Sequence, residues 1–173
     1  MVVSGAPGAG KSSLAEPLAQ RLGLALIGKD HIKETLHDVL PEGPDRLIWS
    51  KYLGAAAMEL IWTLASHAPA AVLEANFYPK SDYQRGRLAA LPGPLVEVYC
   101  RCPPELAAER DAARHAGRPS THISSTITAE QLADFDRPIA LGPVIEVDTA
   151  APVDVEAIAA RIEALLAGAP ERA

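Results

Sequence analysis

An open α/β fold built on a parallel sheet is the class this sequence predicts, and three observations predict it. Short apolar runs alternate with longer amphipathic stretches along the chain, the pattern of strands each followed by a crossover helix. The first run, Met1–Ser4, leads at once into a glycine-rich turn and then an amphipathic helix. Hydrophobic residues make up 49% and charged residues 22% of the 173 residues, which suits one ordinary globular domain spanning 1–173 and argues against disorder or a fibrous class.

Strands are expected at Met1–Ser4, Leu24–Ile27, Ala70–Glu74, Leu95–Arg101 and Val144–Val147. Helices are expected over 11–22, 31–39, 47–67, 81–90, 104–115, 129–136 and 153–167. Asp30 stands where an N-cap would precede His31–Val39, and the prolines at 41 and 44 then break the chain. Pro103 and Pro104 open the fifth helix, where a missing N–H does no harm. The segment Ala116–Thr128 is rich in turn residues and poor in apolar ones, and it reads as a mobile loop. The first strand is short beside the usual ~5–6 residues.

Several classes are disfavoured. A net charge of −6 argues against a nucleic-acid partner, which needs a clustered basic surface, although a local basic cleft remains compatible with it. The longest apolar stretch, 52–73, is interrupted by Glu59, Ser66, His67 and Pro69, so no membrane span is expected. Only Met1 to Ser4 precede Gly5; no secretory segment is expected and the anticipated compartment is the cytoplasm. Cys100 and Cys102, at i and i+2 on a strand, face the same side and read as buried free thiols.

The strongest chemical signal is Gly-Ala-Pro-Gly-Ala-Gly-Lys-Ser at 5–12, a complete Walker A phosphate cradle. Gly5, Gly8 and Gly10 let successive backbone N–H groups point at one anion without Cβ interference, and the following helix adds the positive end of its dipole. Lys11 is the mobile charge for β- and γ-phosphates, and the Ser12 hydroxyl a ligand for Mg²⁺. The expected nucleotide set is Gly5, Gly8, Ala9, Gly10, Lys11, Ser12 and Ser13.

Three further groups bear on chemistry. Asp30 follows the second strand at the carboxyl edge, where ligands of open α/β folds bind; it can accept an acceptor hydroxyl's proton, cap a helix, or do both. Glu74 ends an apolar strand and can hold the metal's water shell or orient substrate, with a solvated loop carboxylate as the plain alternative. Asn76, Phe77 and Tyr78 follow as candidate acceptor-pocket residues. Arg110, Arg114 and Arg118 recur every four residues into the loop; they can offset charge building on a transferring phosphoryl group, or form a solvated face paired with Glu105, Glu109 and Asp111. His115 and His122 read as surface histidines, and Lys80, Tyr83 and Arg85–Arg87 as a solvated face.

On these residues the chain resembles the compact P-loop kinases that include chloramphenicol phosphotransferase, zeta-toxin-like kinases, polynucleotide kinase, and gluconate or shikimate kinase. The likeness runs through 5–12, 27–34, 72–77, 98–106, the stretch from Arg110 to Arg118, and Val147-Asp148-Thr149. It implies a three-layer P-loop NTPase sandwich, a five-stranded parallel sheet in order 2-3-1-4-5, and a helical lid at about 110–128. It also implies ATP with Mg²⁺, Asp30 as the acceptor's base, Lys33 beside the acceptor, and Thr149–Pro152 beside adenine. Many members carry Asp where this chain has Glu74. The expected function is ATP-dependent phosphoryl transfer to a hydroxyl of a small molecule. Its rivals are a 5′-hydroxyl polynucleotide kinase and a nucleotide-dependent regulatory NTPase with no acceptor.

Overall fold

The computed structural model describes residues 1–116 and 129–168. Five strands, β1 (Val2–Gly5), β2 (Ala25–Gly28), β3 (Ala71–Glu74), β4 (Glu97–Arg101) and β5 (Val144–Asp148), form one sheet in the order β2-β3-β1-β4-β5. Every pairing is parallel. The helices are α1 (Lys11–Leu22), α2 (Lys29–Val39), α3 (Arg46–His67), α4 (Asp82–Ala89), α5 (Pro104–Ala116), α6 (Ala129–Leu132) and α7 (Val155–Ala167), with a 3-10 turn at Ala133–Phe135. This is the expected P-loop NTPase sheet. The remainder of the expected lid, 117–128, with Arg118 and His122, lies outside the described residues, as does the side chain of His115.

Alternation along the strands divides the core between two faces. Val3, Val72, Val98 and Ile145 meet Leu14 and Leu18 of α1 and Ile158 and Ile162 of α7. On the other face Val2 and Leu73 meet Ile61 and Trp62 of α3, Phe77, and Leu88 of α4. Both faces of a parallel sheet must be covered, which is why its strands read as continuous apolar runs. Local caps fix where three helices start: Asp45 accepts from the Ile48 N–H, Ser81 from the Gln84 N–H, and Asp154 from the Ala157 N–H. Among the described residues no helix is long and apolar enough to cross a membrane.

Several expectations are corrected. Asp30 is not a cap: β2 runs on to Gly28, which is itself the N-cap of α2 in an extended conformation, so Asp30 sits inside the first helical turn. Phe77 does not line an acceptor pocket; it is 1% exposed, with its ring 5.8 Å from that of Trp62. Cys102 lies past the end of β4 and is only half-buried, whereas Cys100 is buried. The group read as a solvated face ties α4 and the loop before it to their neighbours. Tyr83 Oη donates to Glu59 of α3, Arg87 lies 3.7 Å from the same carboxylate and over Trp62, and Arg85 Nη1 donates to the Ile139 carbonyl at 2.5 Å.

Sequence reasoning missed Glu97, a strand carboxylate only 2% exposed. It accepts from Ser4 Oγ at 2.5 Å, from the Ile139 N–H at 3.0 Å and from the Ala140 N–H at 2.8 Å. Three donors on one buried carboxylate offset its desolvation and fasten the segment before β5 to β4 and β1. Glu97→Ala strands all three; Ser4 and Ile139 are buried while Ala140 is exposed, so at roughly 1–3 kcal/mol for each buried unsatisfied group a loss of at least ~2 kcal/mol is expected. Urea denaturation checks this, with Glu97→Gln expected to fall between wild type and Glu97→Ala because one acceptor oxygen remains.

Candidate functional site

β1 is the central strand, so the turn leaving it rises from the middle of the carboxyl edge. Gly5 pairs with Cys100, and Gly28 with Glu74, which brings the ends of β1, β2, β3 and β4 to this one edge. The loop from Gly5 to Gly10 then turns into α1. Gly10 is the N-cap of α1 with φ 74°, a conformation that side chains disfavour, and it leaves the first N–H groups of the helix facing the loop. Gly8, at φ 75°, lies so close to α5 that a Cβ there would be 1.9 Å from the Ala107 carbonyl oxygen. Both glycines are dictated by this geometry.

Lys11 begins α1 yet is only 6% exposed. Its Nζ donates to the Ala6 carbonyl at 2.7 Å, folding the side chain back into the loop. Burial pulls its pKa down to about 8, against the pull of Glu74, Cys100 and Asp30. Glu74 is 5% exposed. Burial raises its pKa and Asp30 adds to the rise, while Lys11, His31 and the Ser12 hydroxyl oppose it. Ser12 Oγ donates to Glu74 Oε1 at 3.4 Å. A hydroxyl and a carboxylate at this separation form an oxygen-only donor set, which fits a hard cation such as Mg²⁺.

Asp30 lies near enough to influence both Lys11 and Glu74. The sequence-expected Lys11, Ser12, Asp30 and Glu74 are therefore brought together. Lys33 is buried in α2 and donates to Ser50 Oγ of α3 at 2.8 Å, linking those helices. Asn76 is half-buried just beyond β3. His31, which sequence reasoning passed over, places Nε2 3.8 Å from Glu16 of α1. Its ring packs on Gly28, where a Cβ would lie 3.0 Å from Nδ1 and 3.4 Å from Glu74 Oε2. The sequence signal for His31 was its place next to Asp30 in the 27–34 stretch.

Beside the loop an open cleft of about 500 Å³ is lined by Gly8, Gly10, Ser13, Arg110, Arg114 and Thr149, with Leu14 and Val153 among its apolar walls. Arg110 Nη1 donates to the Thr149 carbonyl at 3.0 Å and to Cys102 Sγ at 3.7 Å. The Thr149 hydroxyl has one proton to share between the Ala9 carbonyl at 2.9 Å and the Arg101 carbonyl at 3.1 Å, and its N–H donates to the Arg101 carbonyl at 3.0 Å, so it braces the glycine loop from the end of β5. The cleft joins apolar walls to two guanidinium groups next to backbone N–H donors, a chemistry suited to a flat ring carrying oxyanions.

Residues 1–138 match a protein family described as an AAA domain. No curated protein matches. Among solved structures, a candidate kinase from Chloroflexus aurantiacus is 27% identical with a TM-score of 0.80, covering 95% of this chain and 96% of its own. A gluconokinase from Sinorhizobium meliloti is 25% identical with a TM-score of 0.55, over 96% of this chain and 90% of its own. A shikimate kinase from Acinetobacter baumannii, solved with shikimate, shares the fold at 19% identity and a TM-score of 0.60, over 96% and 91%. The chain thus has the α/β fold of the P-loop kinases.

The buried amine has a consequence for stability. The folded-state pKa of Lys11 lies near 8, below the ordinary 10.5. The unfolded chain therefore binds the extra proton between those values, and stability gains from this group as pH rises through them. Lys11→Met should abolish that gain, on the order of 2–3 kcal/mol at most. The check is the difference in unfolding free energy between pH 8 and pH 10, compared for wild type and variant.

Proposed function

The chain belongs to the AAA domain family, and from that footing we propose that it is an ATP- and Mg²⁺-dependent kinase acting on a hydroxyl of a small molecule. The observation that carries this reading is the meeting of Lys11, Ser12, Glu74 and Asp30 at one sheet edge, two carboxylates beside a buried ammonium. A bare anion site needs no carboxylates, whereas phosphoryl transfer to an alcohol uses one for the metal and one for the acceptor.

In this reading the N–H groups of Gly8–Ser12 and the Lys11 ammonium bind the β- and γ-phosphates, and Lys11 leaves the Ala6 carbonyl to do so. Ser12 and Glu74 would hold Mg²⁺, which when bound supplies charge neutralisation on the phosphate oxygens. The Ser13 and Thr149 side of the cleft takes the adenosine, braced by Arg110. Arg114, with Arg118 from the lid at about 110–128, balances charge on the transferred group. Asp30 orients the acceptor hydroxyl and accepts its proton, while Lys33 and Asn76 shape the acceptor's side. The whole chain acts as one domain. Kinship with the chloramphenicol phosphotransferase, zeta-toxin-like and polynucleotide kinase group belongs to this proposal, supported by the stretches at 27–34 and 98–106.

Lys11→Ala should cost most of the triphosphate affinity. Asp30 is not a cap, so Asp30→Asn breaks no capping bond, and the loss of its first-turn charge costs the helix only about 0.3–1 kcal/mol. The variant should keep ATP affinity and melting temperature and lower acceptor phosphorylation by about 10²–10⁴-fold, the lower end being favoured for a loose transition state. A screen of hydroxylated metabolites and antibiotics with γ-labelled ATP supplies the acceptor. Binding of ATP without label reaching any acceptor would sink the kinase reading and favour a regulatory NTPase.

A further inference from the structure

A second open cleft, of about 510 Å³, lies on the α4 side of the molecule. Its lining draws one cation from each of three segments: Lys80 from the loop after β3, Arg85 from α4, and Arg137 from the stretch leading to β5. Pro138 and Ile139 add an apolar surface, and Asp82 is the carboxylate among the lining residues. In a chain of net charge −6, such a gathering of cations is not a consequence of composition.

Two of the three head groups are held in place without being neutralised. Arg85 Nη1 donates to the Ile139 carbonyl at 2.5 Å, and Lys80 Nζ to the Ala133 carbonyl at 3.2 Å. A carbonyl orients a cation but carries no net charge, and Arg85 retains further N–H groups for a ligand. Lys80 also stands 3.9 Å from Asp134, a long contact between half-exposed groups that contributes little. Arg137 is exposed and makes no hydrogen bond or ion pair among the described residues. Three cations thus line the cleft with one carboxylate, Asp82; Asp134 stands beside Lys80, and the Glu97 carboxylate behind Ile139 and Ala140 is already taken up by three donors. Guanidinium pairs of this kind match planar or tetrahedral oxyanions.

The cleft is distinct from the phosphate loop. Its inner end, at Ile139 and Ala140, is bonded to Glu97, which pairs with Val2 and Val144 at the starts of β1 and β5. Gly5 lies three residues further along β1, on the order of 10 Å away at a strand's rise. We propose that this cleft is a second anion site, taking a small molecule whose phosphate or carboxylate group meets Lys80, Arg85 and Arg137 while its hydrocarbon part rests on Pro138 and Ile139. The site does not depend on the kinase reading.

Backbone-amide NMR of the full chain, titrated with inorganic pyrophosphate and separately with citrate, tests it and keeps the two sites apart by residue. Saturable shifts are expected at Lys80, Arg85, Ile139 and Ala140, besides any at Gly8–Ser12. Pyrophosphate saturating where citrate does not assigns the phosphate class, and the reverse order the carboxylate class. Arg137→Ala, at an exposed position, should keep the melting temperature and the loop's affinity while weakening the cleft about tenfold, the scale of one charge-assisted contact. No saturable shift at the cleft with either probe up to about 20 mM overturns the proposal, that being weaker than any useful site. So do cleft shifts that Arg137→Ala leaves unchanged. Shifts at the cleft with none at Gly8–Ser12 would instead count against the kinase reading and leave this site standing.

Discussion

A lysine ammonium buried at the end of a parallel sheet is the constraint on which the site depends. An unpaired charge in that position is costly, and an ordinary response is a lowered pKa, as Lys11 displays. What keeps the residue serviceable is its surroundings: the Ala6 carbonyl at 2.7 Å, and Glu74 and Asp30 close enough to favour the charged form. Glu74 is in turn buried and raised in pKa, held down by Lys11. Each group makes the other's ionised state tolerable, so the pair behaves as a unit.

The rest of the carboxyl edge serves to hold this unit in place. Gly8 lets the loop press against α5 where any side chain would strike the Ala107 carbonyl. Thr149 fastens the loop to β4 and β5 through the Ala9 and Arg101 carbonyls. The missing Cβ at Gly28 leaves room for the His31 ring beside Glu74. One end of β1 is fixed through Ser4 and Glu97, only a residue before the loop begins. Rigid scaffolding around a buried charge is what lets an incoming anion find its donors already oriented.

Much of the fold was legible because local signals and burial agree. Apolar runs at 70–74 and 144–147 became β3 and β5 since both faces of a parallel sheet are covered. The helices expected from 81 and 153 form, starting one and two residues later behind the caps Ser81 and Asp154. The glycine loop was legible because its spacing admits few other geometries. Less was legible where a polar residue's partner is distant in sequence. Glu97 lies within an expected strand with no neighbour in sequence to mark it, and Ser4, Ile139 and Ala140 satisfy it across 93, 42 and 43 residues. Asp30 looked like a cap, but Gly28 can be extended and start the helix two residues sooner. The cations of α4 and its preceding loop looked solvated because their acceptors are backbone carbonyls and a carboxylate on other elements.

The most direct measurement is a crystal structure with a non-hydrolysable ATP analogue and Mg²⁺. If the buried amine is held in reserve for phosphate, Lys11 Nζ will have left the Ala6 carbonyl for the β- and γ-phosphate oxygens. Those oxygens will then lie within hydrogen-bond reach of the N–H groups of Gly8–Ser12, and Ser12 and Glu74 will face the metal. Nucleotide bound elsewhere, or bound with Lys11 still on Ala6, would contradict that role.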